Sequence, residues 1–310
     1  MSHHTSHSKI KGKEKEMSNF VKNTTKFVIA EKNETISMSH FLSHIEKGCR
    51  KRYYFIWIIM VSLCAEGYME QIVDIHCHIL PGVDDGASSM EETVSMLEQA
   101  VADGITTMIA TPHYHLGRKV ASYDMVEAAY QDVLCEIEKR KLPLRIYLGN
   151  EIFCSDTALE DIAKKKAHTM DGTRYILLEF HPGNSYRDIR HGAHTAIEEG
   201  YIPIVAHAER YQALAENIDR VDELVQMGCY IQLNAADIMG AEGFRMKQLC
   251  KKLLKEELVH FVATDAHKAE GRRTPKLCKC VSYIEKKYGK DYAKAIFETN
   301  PMCVLQDKYL

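Results

Sequence analysis

Residues 74–86 run Asp-Ile-His-Cys-His-Ile-Leu-Pro-Gly-Val-Asp-Asp-Gly, and this stretch decides the fold. An apolar run ends in His76 and His78, whose side chains should lie on one side of a strand, because side chains alternate along a strand. Asp84 and Asp85 follow in a turn before Gly86. Imidazoles with a nearby carboxylate are donors that transition metals prefer. The stretch therefore predicts a strand that ends in part of a metal site.

From residue 70 onward, short apolar runs alternate with amphipathic helical segments. The alternation predicts a parallel sheet flanked by helices, because parallel strands need crossover connections. The seven predicted strands are Ile72–His76, Ile105–Ala110, Leu144–Leu148, Tyr175–Leu178, Ile202–Ala206, Tyr230–Leu233 and Val259–Ala263.

Metal-type residues at the strand ends discriminate between two α/β architectures. An open, doubly wound sheet gathers function at one switch point, whereas a barrel brings all its strand ends to one mouth. We therefore favour a TIM-like (β/α)7 barrel. The residues that follow the later strands are His113, Glu151, Glu179, His207, Asp265 and His267.

Each of these residues also has a simpler explanation. A single histidine is more often a hydrogen-bonded core or loop residue, and a carboxylate can cap a helix or form an ion pair. Those explanations do not predict nine such residues at strand ends in this order. A mixed set of histidines and carboxylates suits manganese, iron or zinc, and nine donors imply two or three ions.

Composition excludes several classes of function. The net charge of -3 gives no basic field for nucleic acid. The ten cysteines are scattered through a long chain, which favours reduced thiols over disulfides. We find no glycine-rich phosphate loop and no Cys-x5-Arg segment, so a nucleotide-binding protein and a cysteine phosphatase are both unsupported.

Residues 1–68 differ from the rest and predict a poorly structured N-terminal extension. The extension contains a short apolar segment, Tyr53–Ala65, that is shorter than the ~20 residues needed to cross a bilayer. It could associate with a membrane, pack on the domain as a helix, or be translated upstream sequence. We favour the last interpretation, with the functional chain, 69–310, starting at Met69.

Six segments carry a resemblance to the polymerase and histidinol phosphatase (PHP) superfamily, and within it to the bacterial capsule-type tyrosine-protein phosphatases. They keep their order across nearly all of 70–310. The segments are residues 74–86, Gly-Asn-Glu-Ile (149–152), Leu-Glu-Phe (178–180), Tyr-Arg-Asp-Ile (186–189), Ala-His-Ala-Glu-Arg-Tyr (206–211) and Thr-Asp-Ala-His (264–267).

The resemblance implies a distorted PHP-type barrel with three metal positions and two arginines that bind phosphate. The arginines would be Arg210 and Arg272, although Arg273 stands where the family often has proline, so either of the adjacent arginines could serve. The implied ligands are His76, His78, Glu151 and Asp265 for the first ion, Asp85, His113 and His267 for the second, and Glu151, Glu179 and His207 for the third.

The implied activity is manganese-dependent hydrolysis of phosphotyrosine without a covalent enzyme intermediate. The implied partner is a bacterial tyrosine kinase that regulates capsular or exopolysaccharide synthesis. We expect a cytoplasmic protein, with peripheral membrane association only if the 53–65 segment is made, and we leave a homo-oligomer open. Two alternatives remain: a small-metabolite phosphatase of the histidinol-phosphatase type, and a non-catalytic metal-binding or interaction module.

Overall fold

The computed structural model describes residues 27–29, 34–36, 69–115 and 121–310. The chain divides into two compact units, 1–58 and 59–310. In the first unit, strand β1 (Phe27–Ile29) pairs antiparallel with β2 (Glu34–Ile36). The apolar segment at Tyr53–Ala65, and most of the extension predicted to be poorly structured, lie outside the described residues. Among the helices that are described, none combines the length and the apolar character needed to cross a membrane.

The second unit is a mixed α/β fold built on parallel strands. Within this unit the described residues form two sheets, with strand orders β11-β10-β9-β8-β7-β5 and β3-β4-β6. The strands are β3 (Val73–Cys77), β4 (Thr107–Ala110), β5 (His113–Tyr114), β6 (Arg145–Leu148), β7 (Glu151–Phe153), β8 (Tyr175–Glu179), β9 (Ile202–Val205), β10 (Tyr230–Asn234) and β11 (Phe261–Ala263).

All seven predicted strands are found within a few residues of their predicted bounds, and two of them continue beyond a break. The second prediction ends at Ala110, but after Thr111 and Pro112 the chain pairs again as β5. The third ends at Leu148, yet β7 resumes after Gly149 and Asn150. The breaks face each other, because Asn150 Nδ2 donates to the Pro112 carbonyl at 2.7 Å. The turn-forming residues hide the continuation in the sequence.

Strand β3 lies between β4 and β11. The Asp265 amide donates to the His76 carbonyl at 2.8 Å, and the His78 amide donates to the Ala266 carbonyl at 2.7 Å. The register with β4 shifts between Asp74 and Cys77. Because of this irregularity, Ile75 packs in the smaller core cluster, whereas Cys77 packs in the larger one.

Eleven α-helices are present among the described residues, and serine side chains cap the first four. The helices are α1 (Met90–Asp103), α2 (Tyr123–Arg140), α3 (Asp156–Ala163), α4 (Tyr186–Glu198), α5 (Gln212–Glu216), α6 (Asp219–Gln226), α7 (Ala235–Met239), α8 (Phe244–Lys255), α9 (Cys278–Tyr288), α10 (Lys290–Lys294) and α11 (Asn300–Leu305), with a π-helical turn at Ala295–Thr299.

Two buried apolar clusters hold the second unit together. The larger cluster joins the helices to the outer sides of the strands. The smaller one is formed by alternate strand residues such as Leu177, Ile204 and Phe261, with Val304 of α11 beside them. Outside these apolar clusters, polar residues lie at the carboxyl ends of the strands.

Candidate metal centre

The nine residues predicted as metal ligands converge at the carboxyl ends of the parallel strands. They come from six separate places along the chain; Asp85 lies in the turn that follows β3, and the others stand in a strand or just after one. Two of them, His207 (φ 33°) and Asp265 (φ 51°), have left-handed backbone conformations, which are uncommon for residues other than glycine. Such local strain is often concentrated at functional sites.

A first group consists of His76, His78, Glu151 and Asp265, all of them buried. The two Nε2 atoms of the histidines lie 3.2 Å apart. Glu151 Oε2 lies 3.1 Å from His76 Nε2 and 3.2 Å from His78 Nε2. Asp265 Oδ1 completes the group at 3.5 Å from His76 Nε2. Ligands of one ion at 2.0–2.2 Å lie about 3 to 3.5 Å from each other, so this spacing fits a shared cation.

A second group consists of Asp85, His113 and His267, with His78 beside them. Asp85 Oδ1 lies 3.4 Å from the Nε2 atom of His113 and 3.4 Å from that of His267. The Asp85 side chain is 70% exposed, whereas that of His267 is 4% exposed. This group therefore lies at the solvent side of the cluster.

A third group contains Glu151 and Glu179, as the resemblance implies, but His113 is the histidine within ligand distance of both. His113 Nδ1 lies 3.0 Å from Glu151 Oε2 and 3.6 Å from Glu179 Oε2. His207 lies at the edge of the group, with its Nε2 atom 2.7 Å from Glu151 Oε1 and 4.0 Å from Glu179 Oε1.

Buried atoms without hydrogen-bond partners indicate that these residues fit metal ions. Glu151 Oε2 and His267 Nε2 are both buried and have no hydrogen-bond partner. Glu151 Oε2 is nevertheless surrounded by nitrogen atoms of His76, His78 and His113 at 3.0–3.2 Å. An unsatisfied buried polar atom is costly, and a cation among these donors would remove that cost.

The orientation of the histidine rings supports the same conclusion. The Nδ1 atom of His76 lies 3.1 Å from Gln232 Oε1, and that of His78 lies 2.7 Å from Asp84 Oδ2. His267 Nδ1 lies 3.0 Å from the Asp265 carbonyl. A ring whose Nδ1–H donates to an oxygen presents an unprotonated Nε2, and this is the usual arrangement of a metal-binding histidine.

In the cluster, the pKa values of the carboxylates and of the histidine rings depend on each other. Burial opposes ionisation of Glu151, but His76 and His113 hold its pKa well below the usual range. Burial and the charge of Glu151 raise the pKa of Glu179. Burial disfavours a charged ring at His78, yet Asp84 and Glu151 raise its pKa to about 10. Divalent cations would supply the positive charge that these carboxylates otherwise draw from protons.

Sequence reasoning missed three residues that hold the ligands in place. Asp84 was predicted as a turn residue; it is one, since it accepts from the Gly86 amide at 2.8 Å, and it also orients His78. Gln232 and Asn234 were not singled out as functional. Gln232 Nε2 donates to Asn234 Oδ1 at 2.8 Å, and Asn234 Nδ2 donates to Asp265 Oδ2 at 2.9 Å. Polar residues at alternate positions of a buried strand were the available signal.

Of the predicted arginines, the structure places Arg210 at the cluster and Arg272 away from it. Arg210 donates from Nε to Asp237 Oδ2 and from Nη1 to Asp265 Oδ2, both at 3.1 Å. The Arg272 side chain is 77% exposed, and its Nη1 lies 3.8 Å from Glu242. Its neighbour Arg273 donates from Nη2 to Asp265 Oδ1 and from Nε to the Asp265 carbonyl.

A family model described as "Capsular polysaccharide synthesis, CpsB/CapC" matches residues 72–306. Among curated proteins, the chain is 34% identical over 244 residues to the tyrosine-protein phosphatase CpsB of Streptococcus agalactiae, an alignment covering 77% of this chain and all of that protein. It is 35% identical over 205 residues to the tyrosine-protein phosphatase YwqE of Bacillus subtilis, covering 65% of this chain and 79% of YwqE.

A solved structure gives the same result at the level of the fold. It is described as belonging to YwqE from Bacillus subtilis and CpsB from Streptococcus pneumoniae, unique metal-dependent tyrosine phosphatases. The match has a TM-score of 0.72 and 31% identity, and it covers 77% of this chain and 96% of the solved one.

Proposed function

The chain belongs to the CpsB/CapC family, and from this premise we propose that its residues 69–310 form a metal-dependent protein-tyrosine phosphatase. Its substrate would be phosphotyrosine, on a kinase that regulates capsular or exopolysaccharide synthesis. The observation that carries the proposal is the buried convergence of histidine and carboxylate donors on Glu151. Curated relatives that the chain covers over their full length are tyrosine-protein phosphatases.

We assign the metal positions from the three groups of donors. His76, His78, Glu151 and Asp265 would hold the first ion, and Glu151 would bridge to a neighbouring one. The second position takes Asp85, His113 and His267. The third takes Glu151, Glu179 and His207, whose Nε2 atom lies 2.7 Å from Glu151 Oε1 and 4.0 Å from Glu179 Oε1; His113, which lies nearer to Glu179, is already assigned to the second ion. A set with this mixture of nitrogen and oxygen donors suits manganese, with iron and zinc as competitors.

When bound, such ions polarise the phosphoryl oxygens and activate water for attack on phosphorus. The protein's own residues orient the histidine rings and keep a positive charge beside the centre. Asp84 and Gln232 orient the rings of His78 and His76, so that both Nε2 atoms point at the same place. Arg210, anchored by Asp237, keeps a guanidinium beside the centre, where it can stabilise charge on the phosphoryl oxygens.

For the second phosphate-binding position we propose Arg273. Its guanidinium contacts both Oδ1 and the carbonyl oxygen of Asp265, whereas Arg272 lies in solvent beside Glu242. Arg273 therefore keeps a guanidinium beside the carboxylate of the first group of donors.

The decisive experiment is hydrolysis of a phosphotyrosine peptide with manganese, with a chelator as the control. We expect activity that the chelator abolishes and that a His76→Ala/His78→Ala double variant loses by at least about 10³-fold, since removal of two ligands empties the first metal position. Full activity of the double variant would refute the assignment. Metal analysis tests the non-catalytic alternative, which less than one bound transition metal per chain would support.

A small-metabolite phosphatase remains the alternative function, because the same ions would hydrolyse histidinol phosphate. Turnover of a phosphotyrosine peptide and of histidinol phosphate under the same conditions separates the two. We propose a preference for the peptide, which is supported by the named activity of the relatives.

We also propose that the strands close into a seven-stranded barrel. In this view β4 with β5 and β6 with β7 each count as one interrupted strand, and the bridge between Cys77 and Ala266 joins the first strand to the last. The partner kinase, a cytoplasmic location and a homo-oligomer stay predictions.

A further inference from the structure

A parallel-stacked aromatic pair, His115 and Phe153, adjoins the metal centre and has no part in the function proposed above. The ring centroids lie 3.9 Å apart, and the ring planes differ by 8°. Both residues are half-buried. Phe153 belongs to neither apolar cluster among the described residues, so packing of the core does not account for it.

The position of the pair follows from strand alternation. On β5, His113 is a candidate ligand, Tyr114 packs in the larger core cluster, and His115 follows two residues after His113. On β7, Glu151 and Phe153 have the same relation, with Ile152 in the larger core cluster between them. Residues two apart on a strand share a face. The stacked pair therefore lies on the face that carries the ligands.

The register gives the distance and the direction. His113 is paired with Glu151, so His115 and Phe153 stand one pleat further towards the carboxyl ends, about 7 Å along the strands. Phe153 is also paired with Glu179 of β8, whose carboxylate belongs to the third group. The stacked pair therefore borders one side of the place where a phosphoryl group would sit among the ligands.

We propose that His115 and Phe153 form an aryl subsite that contacts the aromatic ring of the phosphorylated side chain. The proposal rests on the proposed function and deepens it, because it names what would select phosphotyrosine over alkyl phosphates. In phosphotyrosine the ring is joined to phosphorus through a single ester oxygen. A phosphoryl group among the ligands would therefore bring the ring against His115 and Phe153. Stacked and edge-to-face contacts would favour an aryl ester, and the short aliphatic ester of phosphoserine has no ring to offer.

The test compares two peptides of one sequence, which carry either phosphotyrosine or phosphoserine, with manganese-loaded enzyme. We expect Phe153→Ala to reduce kcat/KM for the phosphotyrosine peptide about three- to tenfold, mainly through KM, and to leave kcat/KM for the phosphoserine peptide nearly unchanged. Phe153→Trp keeps an aromatic face and should retain most of the preference. Phe153→Leu keeps apolar volume without a ring and should behave like the alanine variant.

Phe244→Ala is the matched control, since that phenyl ring is 75% exposed and lies at the first residue of α8. Metal content is measured for every variant, because a structural role would lower it together with both activities. An equal loss on both peptides, or a preference unchanged in Phe153→Ala, overturns the aryl subsite. Absence of phosphotyrosine hydrolysis by the unaltered, metal-loaded enzyme would instead refute the proposed function.

Discussion

Asp265 is the residue at which the candidate metal centre and the arginines meet. Its Oδ1 atom belongs to the first group of ligands and also contacts Arg273, and its Oδ2 atom accepts from Arg210 and Asn234. Its backbone is in the left-handed region, at φ 51°. One carboxylate therefore couples the guanidinium groups to the place where ions would bind, so their orientations depend on each other.

At the same scale, substitution of the adjacent residues Arg272 and Arg273 should have different effects on kcat/KM. We expect Arg210→Ala and Arg273→Ala each to lower kcat/KM for a phosphotyrosine peptide by about 10²-fold, because each removes a positioned cation beside the phosphoryl site. Arg272→Ala should change it less than about threefold, because exposed ion pairs contribute little.

Steady-state kinetics of the three single variants check this prediction, with metal content measured in parallel. A large loss in Arg272→Ala together with a small one in Arg273→Ala would return the phosphate-binding role to Arg272, as the family resemblance implies.

At the scale of elements, the turn between β3 and α1 fixes the second group of ligands. The Ala87 amide donates to the His78 carbonyl at 3.0 Å, which folds the turn back onto the strand. Gly86 lies so close to His78 that an added Cβ atom would stand 2.2 Å from the His78 carbonyl oxygen. The close approach places Asp84 and Asp85 against the histidines, and it requires a residue without a side chain.

We expect Gly86→Ala to lower the free energy of unfolding by about 1 to 3 kcal/mol, because backbone atoms must move to relieve the clash. The movement should also weaken manganese binding, since it carries Asp85 away from His113 and His267. Urea unfolding and metal titration measure the two effects.

Gly82→Ala in the same turn is the control. Gly82 has φ of 70° and no atom within 4 Å of an added Cβ, so it should cost about 1 kcal/mol in stability and leave the metal affinity unchanged. Equal metal affinities in both variants would contradict the proposed role of the close approach.

A strand could be predicted where its residue types directly indicate burial, and it was missed where pairing depends on distant residues. Apolar runs placed all seven strands, because burial on both faces leaves a plain signal. The continuations β5 and β7 were missed, because Pro112, Gly149 and Asn150 signal an end to pairing, whereas hydrogen bonds across the two breaks resume it. The irregularity in β3 was equally hidden, since it arises from pairing with β4.

In the candidate site, too, some residues were predicted from the sequence and others were not. The donors were predicted because histidine and carboxylate residues stand out at strand ends. The supporting roles of Asp84 and Gln232 were not, because they depend on distances of 2.7 Å and 3.1 Å between atoms far apart in sequence or hidden in a turn. Neither sequence nor resemblance indicated that Arg273 would contact Asp265, since the choice between adjacent side chains is made by the fold.

At the scale of the whole molecule, stability should depend on a histidine remote from the ligands. Burial lowers the pKa of His260 to about 4, and its Nδ1 atom accepts from the Ile231 amide at 3.2 Å. In the unfolded chain the same ring titrates near 6.5. Between these values the unfolded state binds a proton that the folded state does not. Acidification from about pH 6.5 to pH 4 should therefore reduce the free energy of unfolding, by up to about 3 kcal/mol.

Urea unfolding across this pH range, with a chelator present to exclude metal effects, measures the dependence. His260→Asn provides a non-titrating acceptor in place of Nδ1, so its stability should fall less steeply with acid. Parallel curves for the two proteins would show that His260 does not contribute.

Cys77 lies between two proposed ligands and yet is turned away from the centre. Its side chain is fully buried, its Sγ atom donates to the Ile109 carbonyl at 3.3 Å, and burial raises the pKa of the thiol well above its usual value. Peroxide attacks exposed thiolates, and an enzyme with a cysteine nucleophile loses activity when that thiolate is oxidised. The Cys77 thiol is protonated and buried, and the proposed chemistry does not use it. Oxidation of Cys77 is therefore not expected to inactivate this centre, in contrast to a phosphatase that depends on a thiolate nucleophile.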